Sequence, residues 1–294
     1  MENDRRQRAF FSSLYLNQLE VFRVILTDHP HLVHARDARR HGHTPLAWAC
    51  QHRRTEFVRL LLQHGADVNA RDKLSHTALW DASWWGYTEI VQLLLAHGAD
   101  MYVADRRSGI LPLHIACIAG HVAIVREFLE HMSVETVVPS TQETPLLLAV
   151  RHADTVKLLL EKGANVHIRR PKQRDTPLML AASLGSPESV RLLIQAGARI
   201  NEQDFRGYTA LMHAVQRSDE VAVRLLLQHG ARWDLRNNAG QTAVDVACRK
   251  TRPWKRAGVL YLLLRTTPDS WPRPAATTHP RNQPRRSGKR KRNA

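Results

Sequence analysis

The sequence predicts an all-α repeat solenoid, and three observations carry that prediction. A unit near 33 residues recurs. Thr44-Pro45-Leu46 leads to Leu60-Leu61-Leu62-Gln63-His64-Gly65-Ala66-Asp67-Val68-Asn69, and Thr77-Ala78-Leu79 leads to Leu93-Leu94-Leu95-Ala96-His97-Gly98-Ala99-Asp100, each element displaced by 33 positions. Gly65, Gly98, Gly163, Gly197 and Gly230 close apolar segments, where a residue able to adopt positive φ ends a helix at low cost. Cys50, Cys117 and Cys248 each fall six residues after the first position of an opening tetrad, a slot that Ala182 fills in another copy. Their equal phase predicts a small buried packing site, where free cysteine behaves as a small hydrophobe.

Taken in order, residues 9–37 form a divergent first unit, with Leu19, Phe22, Ile25 and Leu26 at helical spacing and Leu32-Val33 after a turn. It is expected to cap the stack, with residues 1–8 as an extension. Regular units open at Thr44, Thr77, Leu111, Thr144, Thr176, Thr209 and Thr242, with boundaries near 38–72, 73–105, 106–139, 140–169, 170–204, 205–237 and 238–266. The period, the TPLH-like opening and the LLLxxGAD-like close resemble the ankyrin repeat. That resemblance implies that each tetrad starts a short helix, that the Val/Leu-rich segment forms a second, antiparallel helix, and that a hairpin-like finger leads to the next unit. Ser186-Pro187 suits a helix start, with a capping hydroxyl before a first-turn proline. The last unit has Val259 to Leu264 as its second apolar segment, lacks a Gly-Ala-Asp close and should end the array. Two irregularities fall mid-chain. Glu130-His131-Met132-Ser133 replaces the Gly-Ala close, and Thr144 reaches Leu160 in two fewer steps than Thr44 takes to Leu62. Because repeats contact only their neighbours, the stack is expected to open most easily, or change curvature, near 130–155.

Apolar residues make up 43% of the 294, as in an ordinary folded chain, but the formal net charge is +16. Residues 267–294 hold eight Lys/Arg and one Asp, net +7, leaving +9 on the first 266. Both parts favour acidic partners. The tail is Pro-, Arg- and Thr-rich, with Trp271 almost its only apolar residue, a composition that predicts disorder. No apolar run approaches the roughly 20 residues of a membrane span, so an intracellular protein is expected.

Candidate function lies on the surface. Trp48, Trp80, Trp84 and Trp85 gather on the opening segments of two adjacent units. Trp84 and Trp85 fill slots that hold Gln51-His52, Ile118-Ala119, Ser183-Leu184 and Gln216-Arg217 elsewhere; the slots tolerate polar residues, so exposure is expected, and large aromatic side chains are enriched among dominant interface residues. Packing is the stronger reading for Trp48 and Trp80, although Trp80 belongs to the candidate surface. The fingers supply Arg39, Arg40, Arg106, Arg107, Arg169, Arg170, Lys172, Arg174 and Arg206. Arginine forks suit carboxylates or phosphates. The run Arg285, Arg286, Lys289, Arg290, Lys291, Arg292 reads as a nuclear-import signal or a nucleic-acid patch, and composition does not separate the two. His64, His97 and His229 sit just before helix-ending glycines, where they can meet the last helix carbonyls; a repeat apart, they make a poor metal site. The resemblance assigns His114, fourth in its tetrad, to finger support. It also marks Asn69 as a hydroxylation candidate, the chain being substrate and not catalyst, with Asn201 a partial match.

No Gly-rich phosphate loop, GxSxG or HExxH occurs, so no catalytic, cofactor or metal residues are assigned. The expected function is a non-enzymatic interaction module or scaffold. It would bind an acidic protein surface or peptide through the concave repeat face, in the nucleus before the cytoplasm, with no small-molecule substrate and no membrane. A substrate-recognition adaptor of a ubiquitin ligase, or a nuclear regulator bound to nucleic acid through its tail, are the alternatives.

Overall fold

The computed structural model describes residues 2–37, 42–73, 75–248 and 257–266. They contain sixteen α-helices, arranged as eight antiparallel pairs. The first helices of the pairs are α1 (Glu2–Tyr15), α3 (Pro45–Gln51), α5 (Ala78–Trp85), α7 (Pro112–Ala119), α9 (Pro145–Ala149), α11 (Pro177–Leu184), α13 (Ala210–Arg217) and α15 (Ala243–Cys248). Their partners are α2 (Leu19–Asp28), α4 (Thr55–Gln63), α6 (Thr88–Ala96), α8 (Val122–Leu129), α10 (Ala153–Glu161), α12 (Pro187–Gln195), α14 (Glu220–Gln228) and α16 (Ala257–Thr266). Each first helix packs on the next, and each second helix on the next, in a single run.

The opening tetrads work as helix starts for a simple reason. The hydroxyls of Thr44, Thr77, Thr176 and Thr209 accept from the backbone N–H three residues on, at 3.1–3.3 Å, satisfying a donor that the helix leaves open. Leu111 has no such oxygen. There His114 makes a different bond: its Nδ1 accepts from the Leu111 N–H at 3.4 Å, and its Nε2–H donates to the Thr136 carbonyl at 2.8 Å. One neutral tautomer meets both demands, and burial holds its pKa below the ordinary histidine value despite the Thr136 bond. The finger support implied for His114 is therefore present.

Five residues after each tetrad begins stands an alanine: Ala49, Ala82, Ala116, Ala149, Ala181, Ala214 and Ala247, none more than 2% exposed. The next position holds Cys50 and Cys117, both fully buried as their phase predicts. Cys248 departs from the expectation and is exposed, because α15 is the last first helix described and no further described first helix packs on it as α5 packs on α3 over Cys50.

Residues read as an extension are helical from Glu2, so α1 opens well before residue 9. Its end of the stack is sealed by aromatic contacts: Phe10 on Phe22 at 4.6 Å, Phe22 on Phe57 at 5.0 Å and Tyr15 on Trp48 at 4.9 Å. At the irregular middle, Met132 takes over the buried place of the missing Gly-Ala. Helix α9 has only five residues and meets α11 over a short length. Asparagines bridge other junctions: Asn69 donates to Gly98 O (3.2 Å) while accepting from Asp100 N (2.8 Å), and Asn201 does the same with Gly230 (3.0 Å) and Arg232 (2.8 Å). Glu135 in that role accepts from Asn165 N at 2.7 Å but has no amide to donate.

The turn after α5 fixes the tryptophan-bearing helix. Gly86 ends it at φ +79°, and a Cβ there would lie 2.5 Å from the His121 ring, whose Nε2–H donates to the Trp84 carbonyl at 2.9 Å. Gly98, also at positive φ, has open space around it.

Gly86→Ala is therefore expected to cost more than Gly98→Ala, about 3 against about 1 kcal/mol, measured by urea unfolding with far-UV circular dichroism. Adding His121→Ala should recover part of the larger loss; equal costs would remove His121 as the cause. In native-state hydrogen exchange, the amides of α9 should exchange at least about ten-fold faster than those of α11 and α13; uniform protection would show a stack without a weak junction.

Candidate interaction surface

Side chains four apart on a helix share a face, and consecutive ones do not. On α5 this separates the tryptophans. Trp80 and Trp84 lie in one stripe, ring centroids 6.3 Å apart and 12° from parallel, and His76 at the finger base stacks on Trp80 at 3.8 Å and 6°. The result is a three-ring ladder descending from the finger along the helix. Trp80 is half-buried within it, and its Nε1–H is buried without an acceptor among the described residues. Trp84 is 40% exposed. Trp85, 48% exposed, turns toward the helix-linking edge, where it borders a cavity of about 330 Å³ with Arg53, Gly86 and Tyr87. Trp48 is buried and stacks on His52 at 4.0 Å. The four tryptophans thus form three environments instead of one cluster.

The finger cations also divide. Asp105 organises the finger that carries Arg106 and Arg107, accepting from the Arg107, Ser108 and Ile110 amides at 2.8–3.0 Å and from the Ser108 hydroxyl. Burial pushes its pKa up, but these bonds outweigh it and hold the carboxyl below its ordinary value. Arg106 and Arg107 point to solvent. Arg170 instead turns inward between Glu143 and Asp175, and Arg169 pairs with Glu202 at 2.7 Å. Lys172, Arg174 and Arg206 remain exposed and stand outside the described ion pairs. The Arg206 guanidinium lies 5.1 Å from the centre of the exposed Phe205 ring. Phe205 N donates to Gln173 O at 3.0 Å and Asn238 N to Arg206 O at 3.0 Å, tying three successive fingertips together. Arg39, Arg40 and the basic run from Arg285 to Arg292 lie outside the described residues.

Two buried polar clusters occupy the same slot at different junctions. Asp175, Asp204 and His213 bring their ligand atoms within 4.8 Å of one another. Those atoms are already engaged: Asp204 Oδ1 accepts two backbone amides at 2.8 Å, its Oδ2 lies 3.0 Å from His213 Nε2, and Arg170 flanks Asp175. The arrangement reads as a finger brace. At the other junction, His43 lies 3.3 Å from Asp72, with Asp81 beside them on α5. Burial, with the Asp72 charge added, pushes the Asp81 carboxyl up to about 8. The sequence signal was available: Asp81 stands where other units carry Ile115, Leu148, Leu180 or Val246. His97 and His229 donate through Nδ1 to Leu93 O (2.9 Å) and Leu225 O (2.8 Å), the helix-end role expected of them. Asn69 sits half-buried at a junction with both ends of its amide engaged.

The family description "Ankyrin repeats (3 copies)" matches residues 10–105, 103–170, 141–204 and 178–269. The chain belongs to the ankyrin-repeat family. Ankyrin repeats are protein-interaction modules, typically without catalysis. A 109-residue stretch is 38% identical to the glycerophosphocholine phosphodiesterase gde1 of Schizosaccharomyces pombe, covering 36% of this chain and 10% of that protein. The similarity to the E3 ubiquitin-protein ligase XBAT33 of Arabidopsis thaliana is 30% over 170 residues, covering 57% and 32%. The chain thus spans a third or less of the length of these two relatives. The putative ankyrin repeat protein YahD of Escherichia coli is 33% identical over 171 residues, covering 54% of this chain and 82% of that protein. Among solved structures, the human ASB11 ankyrin repeat domain aligns with TM-score 0.66 and 27% identity, covering 77% of this chain and 99% of that one. The Bcl-3 ankyrin repeat domain aligns at 0.60 and 30%, covering 76% and 99%. No described helix is long and apolar enough to cross a membrane.

Because folded Asp81 holds its proton up to about pH 8, against an ordinary value of 3.8, stability conferred at low pH is lost as pH rises through that window. Between pH 5 and pH 9 the wild type should lose roughly 2–5 kcal/mol more than Asp81→Asn, read from urea midpoints. Parallel pH profiles would show that Asp81 does not carry the effect.

Proposed function

We propose that this ankyrin stack recognises an acidic segment of another protein on the face of the first helices that adjoins the fingers. Trp84, backed by Trp80 and His76, supplies a desolvated apolar anchor, and Arg106 and Arg107 on the neighbouring finger orient carboxylates. The observation that carries this reading is the half-exposed, stacked tryptophan ladder in a stack whose finger cations are partly neutralised internally and partly left in solvent. Arg170 takes no part in it, being committed to Glu143 and Asp175. The net charge of +16 favours the same partner class over long range. Nuclear import through the run Arg285 to Arg292 is part of the proposal. Delivery of a bound protein to a ubiquitin ligase is a second reading, favoured by the similarity to XBAT33.

The test is affinity purification from nuclease-treated cells, comparing intact protein, Trp84→Ala, Arg106→Glu/Arg107→Glu and a chain ending at Thr266. Partners bound through this face should be retained by the shortened chain and depleted about 30-fold or more by either variant, as expected for an interface anchor worth about 2 kcal/mol. The shortened chain should also leave the nucleus. Retention of every partner by the folded Trp84 variant would remove the ladder from the interface, and ligase components among proteins lost only on shortening would favour the adaptor.

A further inference from the structure

Resting on that reading, we infer that the partner presents one extended segment with an apolar or aromatic anchor and, about nine residues away, a cluster of acidic side chains. Two surface patches with different chemistry lie about three units apart along the stack. The first is the His76, Trp80, Trp84 ladder on the third unit. The second is the edge formed by Lys172, Arg174 and Arg206, with Phe205 beside them, on two fingertips joined by the Phe205 N to Gln173 O bond. Neighbouring Arg169 and Arg170 are already neutralised, so the exposed cations are a selected subset of that finger's charge.

Between the patches the surface changes character. The finger at residues 139–142 carries Ser140, Thr141 and Gln142 and no cation, and of the two valines before it Val138 is buried and Val137 half-buried. A helical partner needs an apolar groove to receive its stripe, and this stretch offers none. An extended chain needs only space. Helices α5, α7, α9 and α11 pack in succession, giving three intervals of about 8–10 Å, or roughly 30 Å in all. At about 3.3 Å per residue that distance takes about nine residues of strand, whereas a helix would need about 20. Arg106 and Arg107 lie on the path between the patches and meet the first carboxylates beyond the anchor.

The test is selection of random 20-residue peptides displayed on phage against the full chain, repeated on Trp84→Ala and on Lys172→Glu/Arg174→Glu/Arg206→Glu, each variant first shown by circular dichroism to melt as the wild type does. The wild type should enrich peptides pairing an apolar or aromatic residue with two or more Asp/Glu at a separation peaked near nine. The Trp84 variant should keep only the acidic cluster and the charge-reversed variant only the anchor. Synthetic peptides with both elements should bind at least about 100-fold more tightly than either half in fluorescence polarisation. Acidic peptides without a preferred spacing, or with the anchor adjacent, would overturn the two-patch segment while leaving acidic recognition standing. No acidic enrichment at all would overturn both. A labelled single-stranded 20-nucleotide DNA that binds more tightly than any selected peptide, and is lost on charge reversal, would assign the second patch to nucleic acid and end the proposal.

Discussion

Close approach of successive first helices is the contact on which everything else in this molecule rests. An alanine at one position recurs in all seven regular units and keeps the helix backbones close, and in the six that another described unit follows, the residue after it, whether cysteine, serine, valine or alanine, is sealed by that unit. No single unit has a core of its own, so burial exists only between neighbours. The same approach sets the finger line. Once α5 and α7 are in register, His121 reaches the Trp84 carbonyl, and this is possible only because Gly86 has no side chain in the way. The orientation of the tryptophan ladder is therefore a consequence of helix stacking and one glycine, with no dedicated scaffold of its own.

The fold was legible because its signals repeat. Seven tetrads in phase, five helix-ending glycines and a cysteine slot each say the same thing, and independent copies average out local ambiguity. Cys248 shows where that logic fails: phase predicts burial only if a neighbour follows. The surface was less legible. Adjacent letters suggested that Trp84 and Trp85 act together, but 100° of helix rotation separates them, and the partner Trp84 does have is four residues back. Arg170 looked like its neighbours in sequence, yet Glu143, a repeat away, draws it inward. Charge pairing across repeats depends on which residues the stack brings together, and no local window contains that. The Asp81 slot was readable in principle, since comparison across units shows an acid where most others carry an aliphatic side chain.

Two junctions gather carboxylates and a histidine, and at one of them Asp81 fills a slot that most units give to an aliphatic side chain. Such groups add little net stability and narrow the ways in which neighbouring units can pair, because a shifted register would leave them unpaired. At Asp175, Asp204 and His213 the Asp204 carboxylate is held by two backbone amides and the His213 ring, and the cluster braces two fingers that carry exposed cations. At Asp81 the carboxyl avoids its desolvation cost by keeping its proton. It lies on the same short helix as Trp80 and Trp84, so a buried, protonated carboxyl stands one residue from the tryptophan ladder. Sites that bind commonly tolerate such local strain in polar satisfaction.

The regularity of the stack lapses in its middle, and the two surface patches lie on either side of it. Helix α9 is short, Met132 fills a gap that Gly-Ala fills elsewhere, and Glu135 makes one junction bond where Asn69 and Asn201 make two. In a linear array a weak junction lowers cooperativity between the segments it joins, so the first four units and the last three can fluctuate with partial independence. A ligand that touches both segments binds only the arrangement in which their spacing is correct. Its binding free energy therefore closes the junction, and a junction already closed raises its affinity by the same amount. The neutral finger at residues 139–142 fits this role, since direct contacts there would tie the ligand to the one unit whose position is least fixed.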